Sequence, residues 1–440
     1  MTELGTAALR DRLVTELERA RARSAALTDA VDDGELGRQH SRIMSPLVWD
    51  LAHIGNQEEL WLVRDVGGRE PMRPEIDHLY DAFKHPRPDR PALPLLDPPE
   101  ARGYVSEVRR KVLDVLEHTP LQGQRLVQHG FAFGMIVQHE QQHDETMLAT
   151  HQLRVGAPAL HAPLPRPPRV PNLPPEVLIP AGEFTMGTST EPWALDNERP
   201  AHRARTGAFW LDTTPVTNGD YQRFLTEGGY DEPRWWSERG WAHRCAAKLT
   251  APQFWHHDGR HWWRTRFGVT EPVPAAEPVV HVCFFEARAY AAWAGKRLPT
   301  EVEWEKAARF DPASGRSRRF PWGDTDPAAE HANLGQRHLQ PAPVGSYPAG
   351  ASALGVHQLI GDVWEWTSSG FSGYPGFAPF PYREYSAVFL GGDYRMLRGG
   401  SFGTDASACR GTFRNWDHPY RRQIFAGFRC ARDAEPAELG

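Results

Sequence analysis

Cysteine is scarce in this chain. Only Cys245, Cys283, Cys409 and Cys430 occur in 440 residues, and none forms a C-x-x-C pair. That usage supports neither a disulfide framework nor a cysteine-rich zinc site. Long apolar runs are also missing, and nothing approaches the roughly 20 residues that a membrane-spanning helix needs. The amino-terminal stretch MTELGTAALRDRLVTELERARARSAAL has no apolar signal core and reads as a charged amphipathic helix. Like-charge blocks are absent too. The formal net charge of −6 is spread along the chain, which argues against nucleic acid or an anionic membrane as the main partner. What is present, 40% hydrophobic and 24% charged residues, allows sizeable buried cores. The expectation is a cytoplasmic protein of two or three domains.

The texture changes once along the chain. Residues 1–155 read as a helical bundle. Leu9, Leu13, Leu17 and Ala20 recur at helical spacing. SPLVWDLAHIGNQEELWLVRDV places Ser45 as N-cap and Pro46 in the first turn of a second helix, and Asp97-Pro98-Pro99 opens a third in the same manner. A fourth runs from about Gly130 to Leu153. Residues 156–175 are too rich in proline for helix or central strand and form an extended linker, packed along the surface. Residues 176–435 alternate short apolar pieces with Gly, Pro, Asp and Asn and hold most of the 16 tryptophans. One helix is clear there, FFEARAYAAWAG, followed by LPTEVEWEKAARF. The predicted fold class is α+β: a four-helix bundle, then a domain of short strands and long ordered loops.

The fourth helix contains His139-Glu140-Gln141-Gln142-His143, the H-E-x-x-H pattern of zinc proteases. A protease site needs a third protein ligand. The long form of that motif requires Gly and His where this chain has Thr146 and Ala149, and no glutamate follows the helix until Glu176. The plain alternative is a pair of hydrogen-bonded bundle histidines. His53 weighs against it, because with Asp50 and Gln57 it forms a polar stripe on an otherwise apolar helix, and a buried polar stripe needs partners. His53, His139 and His143 together would make a three-histidine face. By donor type alone, three neutral imidazoles suit Fe(II), Zn(II) or Cu(II).

Ordered motifs in the second half (PAGEFTMG, ERPAHR, PVTNGDYQRFL, AYAAWAGKRLPTEVEWEKAAR, FPWG, GDVWEWTSS, LRGGSF, FRCARD) resemble the formylglycine-generating-enzyme superfamily, whose fold is similar to a C-type lectin. Joined to a DinB-like bundle carrying H…H-x-x-x-H, the whole chain resembles the ergothioneine-biosynthesis sulfoxide synthases of the actinobacterial branch. MSPLVWDLAHIGNQEELWL, HEQQHDETML, GGYDEPRWWSERGWAHR and FRNWDHPYRRQIFAGFR carry that resemblance. It implies Fe(II) held by His53, His139 and His143, and an O₂-dependent C–S coupling of hercynine to γ-glutamylcysteine with sulfoxide formation. The second domain is then expected to supply most of the substrate pocket.

Residue roles follow the resemblance and agree with the chemistry. γ-Glutamylcysteine has two carboxylates and one ammonium, which Arg87, Arg90, Asp417 and Arg421 match in charge. The quaternary ammonium of hercynine donates no hydrogen bond and suits the aromatic face of Trp416 beside Asn415, with Gln142 a further substrate contact. A phenol delivers a proton, or a proton with an electron, and the resemblance puts this role on Tyr382. Tyr385 is the second choice among Tyr374, Tyr382 and Tyr385. The chain departs from sulfatase-modifying enzymes at their copper-binding cysteine pair: Cys409 is present, but Thr404 takes the other position. Two rival readings remain, a zinc-dependent DinB-like thiol transferase and a non-catalytic ligand-binding scaffold.

Overall fold

Four long helices assemble the first part of the chain: α1 (Glu3–Thr28), α2 (Leu47–Glu58), α3 (Pro98–His118) and α4 (Phe131–Leu153). The computed structural model describes residues 3–167 and 172–438, so the linker expected over 156–175 lies partly outside the described residues. Leu13, Leu17 and Ala20 are fully buried, as their spacing predicts. At α3 the Asp97 side chain and Glu100 form a reciprocal capping box, with Pro98 in the first turn. At α2 the expectation fails. Pro46 is the N-cap and no side chain caps it, because Ser45 Oγ instead accepts from Arg90 at 2.6 Å. Beyond Glu58 the helix continues as a π-helix, Glu59–Val66.

The chain forms two compact units. The first runs to His161 and also takes in Glu191–Trp193, although that segment lies beyond the proline-rich stretch. The Trp193 indole donates to the His129 carbonyl, and the Trp193 carbonyl accepts from Gln138. A side chain on Gly134 would meet the Trp193 ring at 2.4 Å, so this close approach requires glycine.

The bundle interior is not purely apolar. Arg21 donates to Glu140 at 2.7 Å and to Glu58 at 2.6 Å. Arg109 pairs with the same two carboxylates. Glu58 and Glu140 are essentially inaccessible to water. Burial alone would raise the Glu140 pKa, but the two guanidinium groups reverse that and hold it below the usual carboxylate range. One four-membered charge cluster thus ties all four helices together.

The second unit takes Ala162–Thr190 and the described residues from Ala194. The described part of the proline-rich stretch is tethered within this unit: the Pro163 carbonyl accepts from His338 and the Arg166 carbonyl from Ser346. Its helices are α5 (Asn218–Thr226), α6 (Glu238–Ala246), α7 (Phe284–Trp293) and α8 (Glu301–Arg309). The first two were not expected from sequence. They are short, and the local signals are only the caps Thr217 and Ser237. One sheet joins β1 (Glu176–Ile179), β2 (Phe209–Asp212) and β7 (Ala431–Asp433). A second has the order β5 (Asn415–Asp417), β4 (Arg395–Arg398), β3 (Trp364–Gly370), β6 (Ala426–Gly427). Register places Trp416 opposite Met396 on the edge strand β5. Among the described residues, no helix is long and apolar enough to cross a membrane.

Arg109→Met should test the charge cluster. It leaves two buried carboxylates with one guanidinium, a loss of about 3–5 kcal/mol for a broken buried pair. Urea denaturation is expected to show a lower midpoint at unchanged helix content.

Candidate metal centre and aromatic substrate site

The rotation of α4 decides what each of its polar residues does. Successive residues turn by about 100° around a helix, so His139 and His143 share a face that Glu140 does not. Glu140 points into the charge cluster. It is therefore unavailable as the base that a zinc protease would require, and the protease reading falls on geometry as well as on ligand count. His139 and His143 meet His53 of α2. The three ring centroids are 4.6–5.1 Å apart, and one nitrogen from each ring lies within 4.8 Å of the others.

Neighbours orient two of the rings. His53 Nδ1 is 2.7 Å from the Tyr80 carbonyl, which can only accept, so Nδ1 carries the proton and Nε2 keeps its lone pair. His143 Nδ1 is 2.9 Å from Asp50 Oδ1, and the carboxylate fixes the same tautomer there. His139 Nδ1 is buried with no hydrogen-bond partner among the described residues. Burial, and then the neighbouring imidazoles, push the pKa values of His53 and His139 far down, so both rings are neutral in the ligating form. Three imidazole nitrogen donors, with no fourth protein ligand in the group among the described residues, fit a metal ion that keeps positions open.

Further residues support His53. The Trp49 indole stacks on its ring at 4.6 Å, and the Arg90 guanidinium lies 3.5 Å over Trp49. Arg90 also donates to the His85 carbonyl, and its burial brings its pKa down to about 10. Arg87, on the same turn, is half-buried and donates to the Ile43 carbonyl. Gln142 is half-buried on α4. Sequence reasoning saw Asp50 only as part of a polar stripe, and it missed Trp49 and the Tyr80 carbonyl altogether.

In the second unit the other predicted residues gather around Trp416. Its indole stacks on Phe371 at 4.1 Å, with Phe389 at 5.6 Å and Tyr385 edge-on at 6.3 Å. Asn415 Oδ1 accepts from the Trp416 backbone. Asp417 and Arg421 pair at 3.6 Å, too far for a hydrogen bond. Tyr382 is half-buried and 6.2 Å from Tyr385, and burial together with Asp196 and Glu384 raises its phenol pKa. Tyr374 is a core residue beneath Arg414, its hydroxyl directed at Glu305. That leaves Tyr382 and Tyr385 beside the aromatic cluster.

Comparison with known proteins then decides the family. Residues 161–434 match the sulfatase-modifying factor enzyme 1-like domain, and residues 16–147 match the DinB superfamily. The hercynine oxygenase of Mycolicibacterium smegmatis is 54% identical over 96% of this chain and 99% of its own length. The chain belongs to the hercynine oxygenase family. The Mycobacterium tuberculosis hercynine oxygenase is 55% identical over 96% of this chain and 99% of that protein. As a hercynine oxygenase family member, the protein is an oxidoreductase of the oxygenase type. The formylglycine-generating enzyme of Streptomyces coelicolor is 36% identical over 59% of this chain and 90% of its own. A Cβ on Gly400 would lie 3.0 Å from Cys409 Sγ and 3.4 Å from Thr404 Cβ, so Cys409 and Thr404 flank one glycine. The hydroxyl at 404 is a poor ligand for soft Cu(I), and Cys409 is buried and directed at the Gly399 carbonyl.

Asp50→Ala should lower metal affinity about 10–100-fold, the usual size of effect when a carboxylate that orients a ligating histidine is removed. Titration with Co(II), followed by its visible absorption, checks this independently of turnover. Unchanged affinity would mean that Asp50 does not organise His143.

Proposed function

We propose that this chain joins hercynine to γ-glutamylcysteine in ergothioneine biosynthesis, using O₂ and Fe(II) held by His53, His139 and His143. The reading is carried by the three-histidine cluster in a chain that matches hercynine oxygenases over nearly its full length. Overall, the ring C–H and the thiol S–H are lost and a C–S bond forms. One oxygen atom ends on sulfur as the sulfoxide, and the other leaves as water. Fe(II), when bound, supplies a redox-active centre that takes up thiolate and activates O₂.

The protein's own residues bind and deliver protons. By charge, Arg87, Arg90, Arg421 and Asp417 are assigned to the two carboxylates and the ammonium of the thiol substrate. Asp417 and Arg421 lie 3.6 Å apart, and this juxtaposition of opposite charges supports the assignment, because a zwitterionic substrate end carries the complementary pair. Trp416 presents an aromatic face to the trimethylammonium group, with Asn415 beside it and Gln142 a further substrate contact. Tyr382 donates hydrogen as the sulfoxide forms. Its raised pKa keeps it protonated at neutral pH, as a donor must be.

Mass analysis of the products under air, with Fe(II), hercynine and each thiol in turn, tests the reading. The expected result is a hercynyl γ-glutamylcysteine sulfoxide, with free cysteine a poorer donor. A zinc-dependent transferase would instead turn over without consuming O₂, and a scaffold would give no product. Tyr382→Phe is expected to retain O₂ consumption while sulfoxide output falls about a hundredfold, within the range for a lost general acid, and oxidised thiol takes its place. Unchanged sulfoxide output would remove Tyr382 from this role.

A further inference from the structure

The segment that carries Tyr382 has little regular structure, only the short 3₁₀ turns Arg383–Tyr385 and Ala387–Phe389. Its position therefore depends on side-chain ties. One carboxylate makes two of them. Asp196 Oδ1 accepts from Ser386 Oγ at 2.6 Å, and Oδ2 accepts from the Phe380 backbone N–H at 3.3 Å. The two donors lie on either side of Tyr382 in sequence. Asp196 and Ser386 are both buried, so the bond between them is shielded from solvent competition, while the bond from Phe380 is partly buried.

Asp196 is itself held firmly, in the short 3₁₀ turn Asp196–Glu198. The Asn197 carbonyl accepts from Arg414 at 2.8 Å. Glu198 accepts from Arg410 at 2.7 Å and from Thr412 at 2.6 Å. Arg414 directly precedes Asn415, the first residue of β5. One three-residue turn therefore grips the Tyr382 segment through a side chain, and the strand that carries Asn415, Trp416 and Asp417 through a backbone carbonyl. The contact between Tyr385 and Trp416 joins the same two segments from the other side.

We propose that Asp196 is a positioning residue: it clamps both ends of the 380–386 segment and so fixes Tyr382 relative to the Trp416 strand. The proposal rests on the assignment of Tyr382 above. Asp196 touches no substrate in this scheme. Its effect passes through Tyr382, so it should alter how the reaction partitions and not how substrates bind.

The test uses the full-length, iron-loaded protein with Asp196→Ala, Asp196→Asn, Ser386→Ala, Tyr382→Phe and the double variant Asp196→Ala/Tyr382→Phe. Asp196→Ala is expected to lower the ratio of sulfoxide to oxidised thiol about a hundredfold, as a reacting group displaced by about 1 Å does, with both KM values within about twofold of the parent. Asp196→Asn keeps only one acceptor oxygen and should fall between. The double variant should be no worse than Tyr382→Phe alone, because two residues acting as one unit do not add. Losses that multiply, or an unchanged ratio in folded Asp196→Ala, overturn the proposal. If Asp196→Ala does not fold, Ser386→Ala removes one arm of the clamp and takes its place. Hydrogen exchange over residues 380–386 separates the two ideas. If Tyr382→Phe leaves the product unchanged, the tyrosine assignment fails by itself. The clamp is still supported by lost protection there in Asp196→Ala, and overturned by unchanged protection.

Discussion

The rotation of one helix underlies the three-histidine cluster. α4 places Glu140 among Arg21, Arg109 and Glu58, and that cluster ties it to α1, α2 and α3 at once. A buried carboxylate that lost these partners would carry a large desolvation cost, so α4 has little freedom to turn. With Glu140 fixed, the neighbouring positions His139 and His143 have to face His53. Among the described residues no hydrogen bond joins the charge cluster to the three imidazoles, yet the cluster fixes the direction in which two of them point.

The three histidines are not equivalent. His143 donates its Nδ1–H to a carboxylate, His53 to a backbone carbonyl, and His139 to no described group. An anionic acceptor makes an imidazole a stronger donor to a metal than a neutral acceptor does. The cluster thus offers one strong donor, one intermediate donor and one weaker donor. Trp49 and Arg90 add a stack behind His53 that restrains its ring and brings a cation near it.

The second unit solves a different problem. Much of it is loop, and loops hold a position only when side chains fasten them. Buried carboxylates do this repeatedly. Glu198 holds Arg410 and Thr412, Glu301 holds Arg398 and Arg414, and Glu305 holds Arg309 and Arg398. A shared scaffold can then carry different chemistry. Cys409 and Thr404 flank Gly400, and Phe371, Phe389 and Tyr385 surround Trp416.

Sequence by itself determined the features that act over a few residues: the helical period of α1, the capping box at Asp97, the i,i+4 pairing of His139 with His143, and the proline-rich break. Ordered motifs also determined the family of both halves. Tertiary structure decided the rest. Ser45 looked like a helix cap but serves Arg90 instead, and Asp50 looked like part of a stripe but orients His143. Trp193 packs with helices that precede it by dozens of residues, and Asp196 ties down a loop nearly two hundred residues away. The physical reason is range. Backbone propensity and capping are settled by immediate neighbours, whereas the partner of a buried polar group is whichever complementary group the fold brings within about 3 Å, and that choice leaves no local signature.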